Sequence, residues 1–105
     1  MDVTDTSYAE GRVLEFKGED QIDTKVLETF PSSGPHQNVV YETKEFSAGC
    51  PYNGLPDYAC LRIEYVPALR VLELRSLKYY IVSFRNVGIF QENATARIYR
   101  DIFER

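Results

Sequence analysis

The fold of this chain is decided by residues 39–66, VVYETKEFSAGCPYNGLPDYACLRIEYV. The two flanks, Val39–Phe46 and Tyr58–Val66, alternate polar and apolar residues and are rich in β-branched and aromatic types, which is typical of strands. Between them, glycines and prolines interrupt the alternation and indicate a turn. We therefore expect two antiparallel strands joined by a loop around Cys50, with Pro67 ending the second strand.

Downstream of Leu72, the hydrophobic residues recur at helical spacing. One face of this first helix carries the apolar residues Leu74, Leu77, Ile81 and Phe84. The other face carries the polar residues Glu73, Arg75, Ser76, Lys78 and Ser83. We expect the apolar face to be buried and the polar face to meet solvent.

A second helix is expected from Ile89 to about Phe103, after a stop at Gly88. Its core stripe is predicted to consist of Phe90, Ala94, Ile98 and Ile102. Arg97 and Asp101 lie one turn apart and can pair, which would contribute at most roughly a few tenths of a kcal/mol. The predicted order is therefore strand, strand, helix, helix.

The length of 105 residues fits one small domain spanning residues 1–105. Residues 1–11 are polar and acidic, and we expect them to form a flexible arm. Two strands and two helices leave a sheet with an open edge, which natural proteins rarely tolerate. Either another subunit fills this edge, or the chain is a fragment of a longer domain.

The charge and the cysteines exclude several classes of protein. With 16 acidic and 12 basic residues, the net charge of −4 does not suit a nucleic-acid binder. No apolar run is long enough to span a bilayer, and the N-terminus does not resemble a signal peptide. We therefore expect a cytoplasmic protein in which Cys50 and Cys60 are reduced thiols. One histidine and two separated cysteines make no metal-ligand cluster, so we predict no metal.

Cys50 occupies an unusual position, between Gly49 and Pro51 on a stiff turn, with Asp57 seven residues downstream. A thiolate is a strong nucleophile and a carboxyl group can carry a proton, so the two residues together suit covalent catalysis. Taken alone, however, a loop thiol is usually inert and a turn aspartate is ordinary. Cys60 lies within the second predicted strand, and we expect it to be a small core residue.

Three segments of the chain, in order, resemble one known family, the NADPH-dependent 7-cyano-7-deazaguanine reductases, which are the nitrile reductases of queuosine biosynthesis. The loop reads CPYNGLPD over residues 50–57, and the first helix carries the family's cofactor signature as ELRSLKYY over residues 73–80. The third segment, SFRNVGIFQE over residues 83–92, brings a glutamate to the start of the second helix. The resemblance runs from about Val26 to the last helix.

This resemblance implies the tunnelling fold, an α+β fold whose unit is two strands, two helices and two further strands. The final two strands would be missing after Arg105, so we expect the domain to be truncated at its C-terminus. The resemblance also implies a homo-oligomer. Several units would join side by side into a barrel, with the active sites at the subunit boundaries.

The resemblance further implies a role for each matching residue. Cys50 would add to the nitrile of 7-cyano-7-deazaguanine as a covalent thioimide, and Asp57 would donate the proton. Five residues would hold the substrate: Gln91 and Glu92, together with Leu72, Glu73 and Leu74 of the adjoining subunit. Three residues would meet the phosphates of NADPH: Arg75, Ser76 and Lys78. The sequence has no Gly-rich phosphate loop, which excludes a Rossmann-type cofactor site.

Two of these residues depart from the family pattern. Arg75 stands where the family usually has lysine; arginine keeps the charge and binds phosphate at least as well. Gln91 stands where the family often has histidine. This position therefore lacks a titratable group that could shuttle protons, although a glutamine can still hydrogen-bond a base.

Two other functions stay open beside the nitrile reductase. One is a related amidinotransferase, which adds ammonia to the same nitrile carried in tRNA and needs no nicotinamide. The cofactor signature in residues 73–80 and the acidic net charge weigh against it. The other is a non-catalytic, truncated subunit that only takes part in assembly. The presence of Cys50, Asp57, Glu73 and Glu92 weighs against that second alternative.

Overall fold

The structure, a computed structural model, describes residues 15–34 and 36–105. The predicted arm of residues 1–11 lies outside the described residues. Two short 3-10 turns, Glu19–Gln21 and Thr24–Val26, come first. The elements that follow are β1 (Thr29–Pro31), β2 (Val39–Gly49), β3 (Pro56–Tyr65), β4 (Arg70–Leu72), α1 (Leu74–Val82) and α2 (Gln91–Phe103). The α+β class and the order of the two long strands and two helices are confirmed.

The predicted hairpin is formed by β2 and β3, which pair antiparallel with Val39 opposite Tyr65 and Gly49 opposite Pro56. Both strands continue closer to the Cys50 loop than the alternation of residue types indicates. The ladder is irregular between Thr43 and Phe46, where a bulge interrupts the register. Beyond this bulge, the four residues up to Gly49 are all buried, because the chain before α2 packs against this end of the strand.

A second, short ladder was not predicted. Strand β1 pairs antiparallel with β4, with Phe30 opposite Val71. The guanidinium of Arg70 donates a hydrogen bond of 2.9 Å to the carbonyl of Thr29, which strengthens the pairing. Each strand has only three residues, so neither gives a periodic signal in the sequence. The pairing depends on contacts across about forty residues of chain.

The buried face of α1 differs in part from the prediction. Leu77 and Ile81 are buried as expected, as is Phe84 just beyond the helix. Leu74 was predicted to be buried and is 58% exposed; it is the first residue of the helix. Ser76 was placed on the solvent face and is buried. Tyr80, which the prediction omitted, is completely buried.

The second helix begins two residues later than predicted. Phe90 takes the N-cap position and is 42% exposed, so its predicted place in the core stripe is wrong. Ala94 and Ile98 are buried, and Ile102 packs against the core from its edge. The apolar stripe thus starts one turn inside the helix.

The Arg97–Asp101 pair is confirmed, with 2.8 Å between the Arg97 Nε and the Asp101 Oδ2. However, the carboxylate is buried rather than exposed. The Tyr80 hydroxyl donates to the same oxygen at 2.7 Å, and the Thr24 hydroxyl donates at 3.2 Å. The network joins both helices to the Thr24–Val26 turn and contributes more than the surface pair that was predicted.

The network also fixes the charge states of its members. Burial by itself raises the pKa of Asp101, but the hydrogen bonds from Tyr80, Arg97 and Thr24 and the positive charge of Arg97 outweigh it, so this pKa lies below its ordinary value. Burial raises the pKa of the Tyr80 hydroxyl, as do its hydrogen bond to Asp101 and the negative charge there. Asp101 is therefore a buried carboxylate, and Tyr80 remains its proton donor.

Candidate active site

Two backbone hydrogen bonds close the Cys50 loop, and both involve Cys50 itself. The Cys50 N–H donates to the Leu55 carbonyl at 2.9 Å, and the Gly54 N–H donates to the Cys50 carbonyl at 2.7 Å. Gly54 has a φ of 73°, a left-handed conformation that glycine adopts without steric cost. The Asn53 side chain completes the turn by accepting a bond from the Leu55 N–H at 3.1 Å. The loop thus holds a partly exposed thiol on a fixed backbone.

Asp57 lies at the same end of the hairpin. It was placed on the connecting loop, but it is the second residue of β3, where the strand register puts it opposite Ala48. Its side chain is half-buried, and its Oδ1 accepts a hydrogen bond of 3.0 Å from the Gln91 side-chain amide. The ladder therefore fixes the carboxyl group close to the start of the Cys50 loop.

The start of α2 is fastened to this end of the hairpin as well. The Gly49 N–H donates to the Val87 carbonyl at 2.8 Å, and the Ile89 N–H donates to the Gly49 carbonyl at 3.0 Å. The rings of Tyr52 and Phe90 meet edge to face, with 5.7 Å between their centroids. These contacts bring Gln91, and with it the adjacent Glu92, to the side of the Cys50 loop.

The Phe16 ring lies against Gly88. A Cβ at position 88 would clash with this ring, so a larger residue there requires the Phe16 side chain to move. The Gly88 N–H also donates to the Lys17 carbonyl at 2.8 Å. The segment around Phe16 therefore covers the connection from the outside.

The predicted residues Leu72, Glu73 and Leu74 form a second group. Glu73 is the N-cap of α1: its Oε2 accepts from the Ser76 N–H at 2.7 Å and its Oε1 accepts from the Arg75 N–H at 3.0 Å. These hydrogen bonds lower the pKa of Glu73, so its carboxylate is ionised at neutral pH. The Leu72 N–H donates a hydrogen bond of 3.0 Å to the Tyr65 hydroxyl oxygen.

The Cys50–Asp57 group and the Leu72–Leu74 group lie beside opposite ends of strand β3. Leu72 contacts Tyr65, the last residue of β3, whereas Asp57 lies at the other end of that strand. A strand rises about 3.3 Å per residue, so eight residues of β3 correspond to roughly 26 Å. One copy of the chain therefore brings Cys50, Asp57, Gln91 and Glu92 together, but it does not bring Glu73 to them.

The predicted phosphate ligands lie on the first turns of α1. Arg75 and Lys78 are exposed and stand three residues apart, so both side chains project from one face. Ser76 is different, because it is buried and its hydroxyl accepts from the Glu28 N–H at 2.9 Å and donates to the Glu73 carbonyl at 2.8 Å. The N–H groups of Arg75 and Ser76 are already bonded to Glu73. The exposed cations are thus the groups at this helix start that fit a phosphate.

Cys60 was predicted to be a core residue, and this is wrong. Both cysteines are free thiols, and Cys60 is exposed. Along β3, burial alternates with a period of two, so Cys60 shares the outer face with Tyr58 and Arg62 while Ala59 and Leu61 point inward. The register of β3, and not the residue type, decides on which face of the hairpin Cys60 lies.

A groove of about 710 Å³ opens elsewhere, between β3, β4 and α2, with mainly apolar walls. Of the predicted site residues, Leu72 contributes to its wall, whereas Cys50 and Asp57 do not. The groove is therefore separate from the thiol and its carboxyl neighbour. In the described part of the chain, no His, Cys, Asp and Glu side chains group as metal ligands, and neither helix could span a membrane.

Comparison with known proteins identifies the family. Residues 56–105 match the family model described as QueF-like protein. Over 95 residues the chain is 55% identical to the NADPH-dependent 7-cyano-7-deazaguanine reductase of Thermotoga petrophila, covering 90% of this chain and 69% of that protein. The chain belongs to the family of NADPH-dependent 7-cyano-7-deazaguanine reductases. The resemblance found in the three sequence segments is thus confirmed.

More distant members of this reductase family match a similar span. The proteins of the same name from Caldicellulosiruptor bescii and Chlorobaculum tepidum are 50% and 41% identical, over 93 and 85 residues. These alignments cover 87% and 79% of this chain and 71% and 73% of those reductases. These alignments span most of this chain, and the family-model match over residues 56–105 includes both helices.

Proposed function

We propose that this chain reduces the nitrile of 7-cyano-7-deazaguanine to the aminomethyl group, with NADPH as the reductant, in queuosine biosynthesis. The observation that carries the proposal is the meeting of Cys50, Asp57 and the start of α2 at one end of the hairpin. Relatives that match over most of this chain have names stating the same substrate and cofactor. The reaction needs a nucleophile, an acid and groups that bind the base, and these roles would fall to Cys50, to Asp57 and to the start of α2.

The first step in this proposal is covalent. A nitrile carbon is a weak electrophile, and addition of the Cys50 sulfur splits a difficult reduction into easier steps. The S–C bond forms while one π bond of the nitrile opens, and Asp57 supplies a proton to the nitrogen. The proton that the thiol loses returns to the carboxyl group, so the product is a thioimide and the acid is restored.

The reduction then requires four electrons. NADPH supplies a hydride when it is bound, and two equivalents are needed. Cys50 would hold the thioimide while its carbon receives a hydride and its nitrogen a proton, and the Cys50 thiol would be released with an imine when the C–S bond breaks. A second hydride and a further proton would convert this imine into the amine. Asp57 is the proton carrier that the described site offers for both additions to nitrogen.

Recognition of the base would use the carboxylates. A deazaguanine ring presents N–H donors on its pyrimidine edge, and a carboxylate accepts two of them in parallel. Glu92 is exposed in the first turn of α2 and adjoins Gln91, so it suits this contact. Glu73, with its neighbours Leu72 and Leu74, would contact the base from another subunit.

The cofactor phosphates would meet Arg75 and Lys78. Both are exposed cations, and none of the ion pairs of the described residues includes either. Ser76 was grouped with them, but its hydroxyl is bonded to Glu28 and Glu73. We therefore assign the direct phosphate contact to the two cations, and Ser76 would support it by fixing the first turn of α1.

A homo-oligomer follows from the separation of the two groups. If Glu73 and Cys50 act on one substrate, we infer that they come from different copies, because they lie beside opposite ends of β3, which rises roughly 26 Å from Asp57 to Tyr65. Large apolar side chains near both groups are exposed, among them Tyr58 at 72% and Tyr79 at 64%, and they would be covered in an assembly. We place the enzyme in the cytoplasm, where free thiols such as Cys50 and Cys60 persist.

A coupled assay tests the proposal. We expect two equivalents of NADPH to be oxidised per nitrile consumed, and the amine to be identified by its mass. Cys50→Ala should abolish the reaction, whereas the matched variant Cys60→Ala should retain it, because that thiol points away on the outer face of β3. Turnover of the nitrile carried in tRNA, with ammonia and no NADPH, would instead identify the amidinotransferase. No turnover of either the free or the tRNA-borne nitrile, with an intact fold, would favour a non-catalytic subunit.

A further inference from the structure

We propose that Gln91 positions Asp57 for proton donation, in addition to its predicted contact with the substrate. This inference rests on the proposed nitrile reduction. The Gln91 Nε2 donates to the Asp57 Oδ1 at 3.0 Å, across 34 residues of sequence. The bond joins the first residue of α2 to the second residue of β3, so it links the substrate-binding helix start to the acid.

The backbone holds both partners in place. Gly49 pairs with Pro56 beside Asp57 in the hairpin ladder, and it also exchanges hydrogen bonds with Val87 and Ile89. Strand β2 thus fixes the strand that carries the acid and the segment that leads into α2. The amide of Gln91 therefore reaches Asp57 from a helix end whose position is set independently of the side-chain bond.

The hydrogen bond distinguishes the two oxygens of the carboxyl group. The Asp57 Oδ1 accepts a hydrogen bond from the Gln91 amide. Among the described residues, no side chain donates to the Asp57 Oδ2. A proton held by Asp57 is therefore favoured on Oδ2, where it can be donated, while Oδ1 remains an acceptor. The amide thus orients the acid without moving a proton itself.

A glutamine keeps this geometry whatever the protonation of its surroundings. A side-chain amide has two N–H donors and a carbonyl acceptor and does not titrate. One donor is used by Asp57, which leaves the Oε1 free to accept an N–H from the base. Substrate recognition at the start of α2 is in this way coupled to the orientation of the acid, because one side chain can contact both.

The kinetic test compares Gln91→Met, which has a similar length and no N–H, with Gln91→His, which restores a donor. The matched control is Gln21→Met, since Gln21 also donates to an aspartate, at 3.1 Å, on an exposed surface. The readouts are the rate of adduct formation at saturating 7-cyano-7-deazaguanine, and the Kd of this substrate measured in a Cys50→Ala background.

We expect Gln91→Met to slow adduct formation about tenfold or more at saturation, as a part of the roughly 10²–10⁴-fold that general acid catalysis contributes. The Kd should weaken as well, because Gln91→Met also removes the Oε1 acceptor for the base, so the rate at saturation is the readout that tests positioning. Gln91→His should recover part of this rate, and Gln21→Met should leave it unchanged. A weaker Kd with an unchanged saturating rate would overturn the proposal, because Gln91 would then serve binding alone.

A measurement without turnover tests the contact itself. The ¹⁵N side-chain amide resonance of Gln91 should shift in Asp57→Ala and remain in place in the control Asp20→Ala. An unmoved resonance in Asp57→Ala overturns the inference even if the enzyme is active. If the resonance shifts but the parent chain forms no adduct, the proposed function fails and the catalytic role of the contact fails with it. Adduct formation that is unaffected by Gln91→Met overturns the present inference alone.

Discussion

Replacing Asp101 by alanine should destabilise the fold far more than an ordinary ion-pair mutation. The Asp101 side chain is 4% exposed and its Arg97 partner 17%, and Tyr80 and Thr24 donate to the same oxygen. Removing the carboxylate leaves a mostly buried guanidinium and a buried hydroxyl without their acceptor. Breaking a buried pair in this way costs about 3–5 kcal/mol, a large fraction of the roughly 5–15 kcal/mol that stabilises a typical domain.

Urea unfolding followed by circular dichroism measures this effect. With an m-value of about 2 kcal/mol/M, the midpoint should fall by roughly 1.5–2.5 M. The matched control is Glu64→Ala, which removes a carboxylate paired with Arg62 at side-chain exposures of 44% and 59% and should cost less than about 1 kcal/mol. If Asp101→Ala does not fold, Tyr80→Phe should still show a loss of about 1.5–3 kcal/mol. Equal effects of Asp101→Ala and Glu64→Ala would refute the argument.

Three further predictions concern the site and the pH response. Mixing Cys50→Ala chains with Glu73→Gln chains should restore about a quarter of the parent turnover, the statistical share of intact boundaries in a randomly mixed oligomer; no restoration in mixed oligomers contradicts a shared site. Gly54→Ala, at a φ of 73°, should lower the free energy of unfolding by about 1–2 kcal/mol and slow adduct formation. Gly34→Ala, where the added Cβ meets nothing closer than 3.6 Å, should do neither. Because the pKa of Asp101 is lowered from 3.8, its contribution to stability is complete above that pH and is lost as the pH falls through the folded-state value. Acid unfolding of the parent and of Asp101→Asn should therefore differ mainly above about pH 4, and a difference that persists unchanged at lower pH would contradict this.

The hairpin could be predicted because its signal is local. Alternation over Val39–Phe46 and Tyr58–Val66 and the turn residues between them are sufficient to specify two strands and a loop. The pairing of β1 with β4 could not be predicted in this way. Three residues of each strand meet across about forty residues of chain, and nothing in either segment identifies its partner.

Burial was predicted well where period and residue type agree, and poorly where tertiary contacts decide. Cys60 and Leu74 are apolar, yet register and helix start leave them exposed. Asp101 and Ser76 are polar, yet both are buried, because hydrogen-bond partners from distant segments compensate their loss of water. Two of those partners, Thr24 and Glu28, lie in a region without a periodic pattern.

The roles of the site residues could be proposed from the resemblance to the reductase family, but the geometry of the site could not. Residue types and spacing suggest Cys50 and Asp57 as a pair, and the resemblance implies that Glu73 acts from an adjoining subunit. The direct bond between Gln91 and Asp57 leaves no trace in the sequence, because the hairpin register and the Gly49 contacts create it. The capping role of Glu73 likewise depends on where the helix begins.

The most direct test of the central claim is the intact mass of the chain after incubation with 7-cyano-7-deazaguanine in the absence of NADPH. We predict an increase by the full mass of the substrate on the parent chain and on Cys60→Ala, and none on Cys50→Ala. Subsequent addition of NADPH should return the parent to its original mass. A parent chain that is folded and remains unmodified, or an adduct that persists in Cys50→Ala, would contradict covalent catalysis at Cys50.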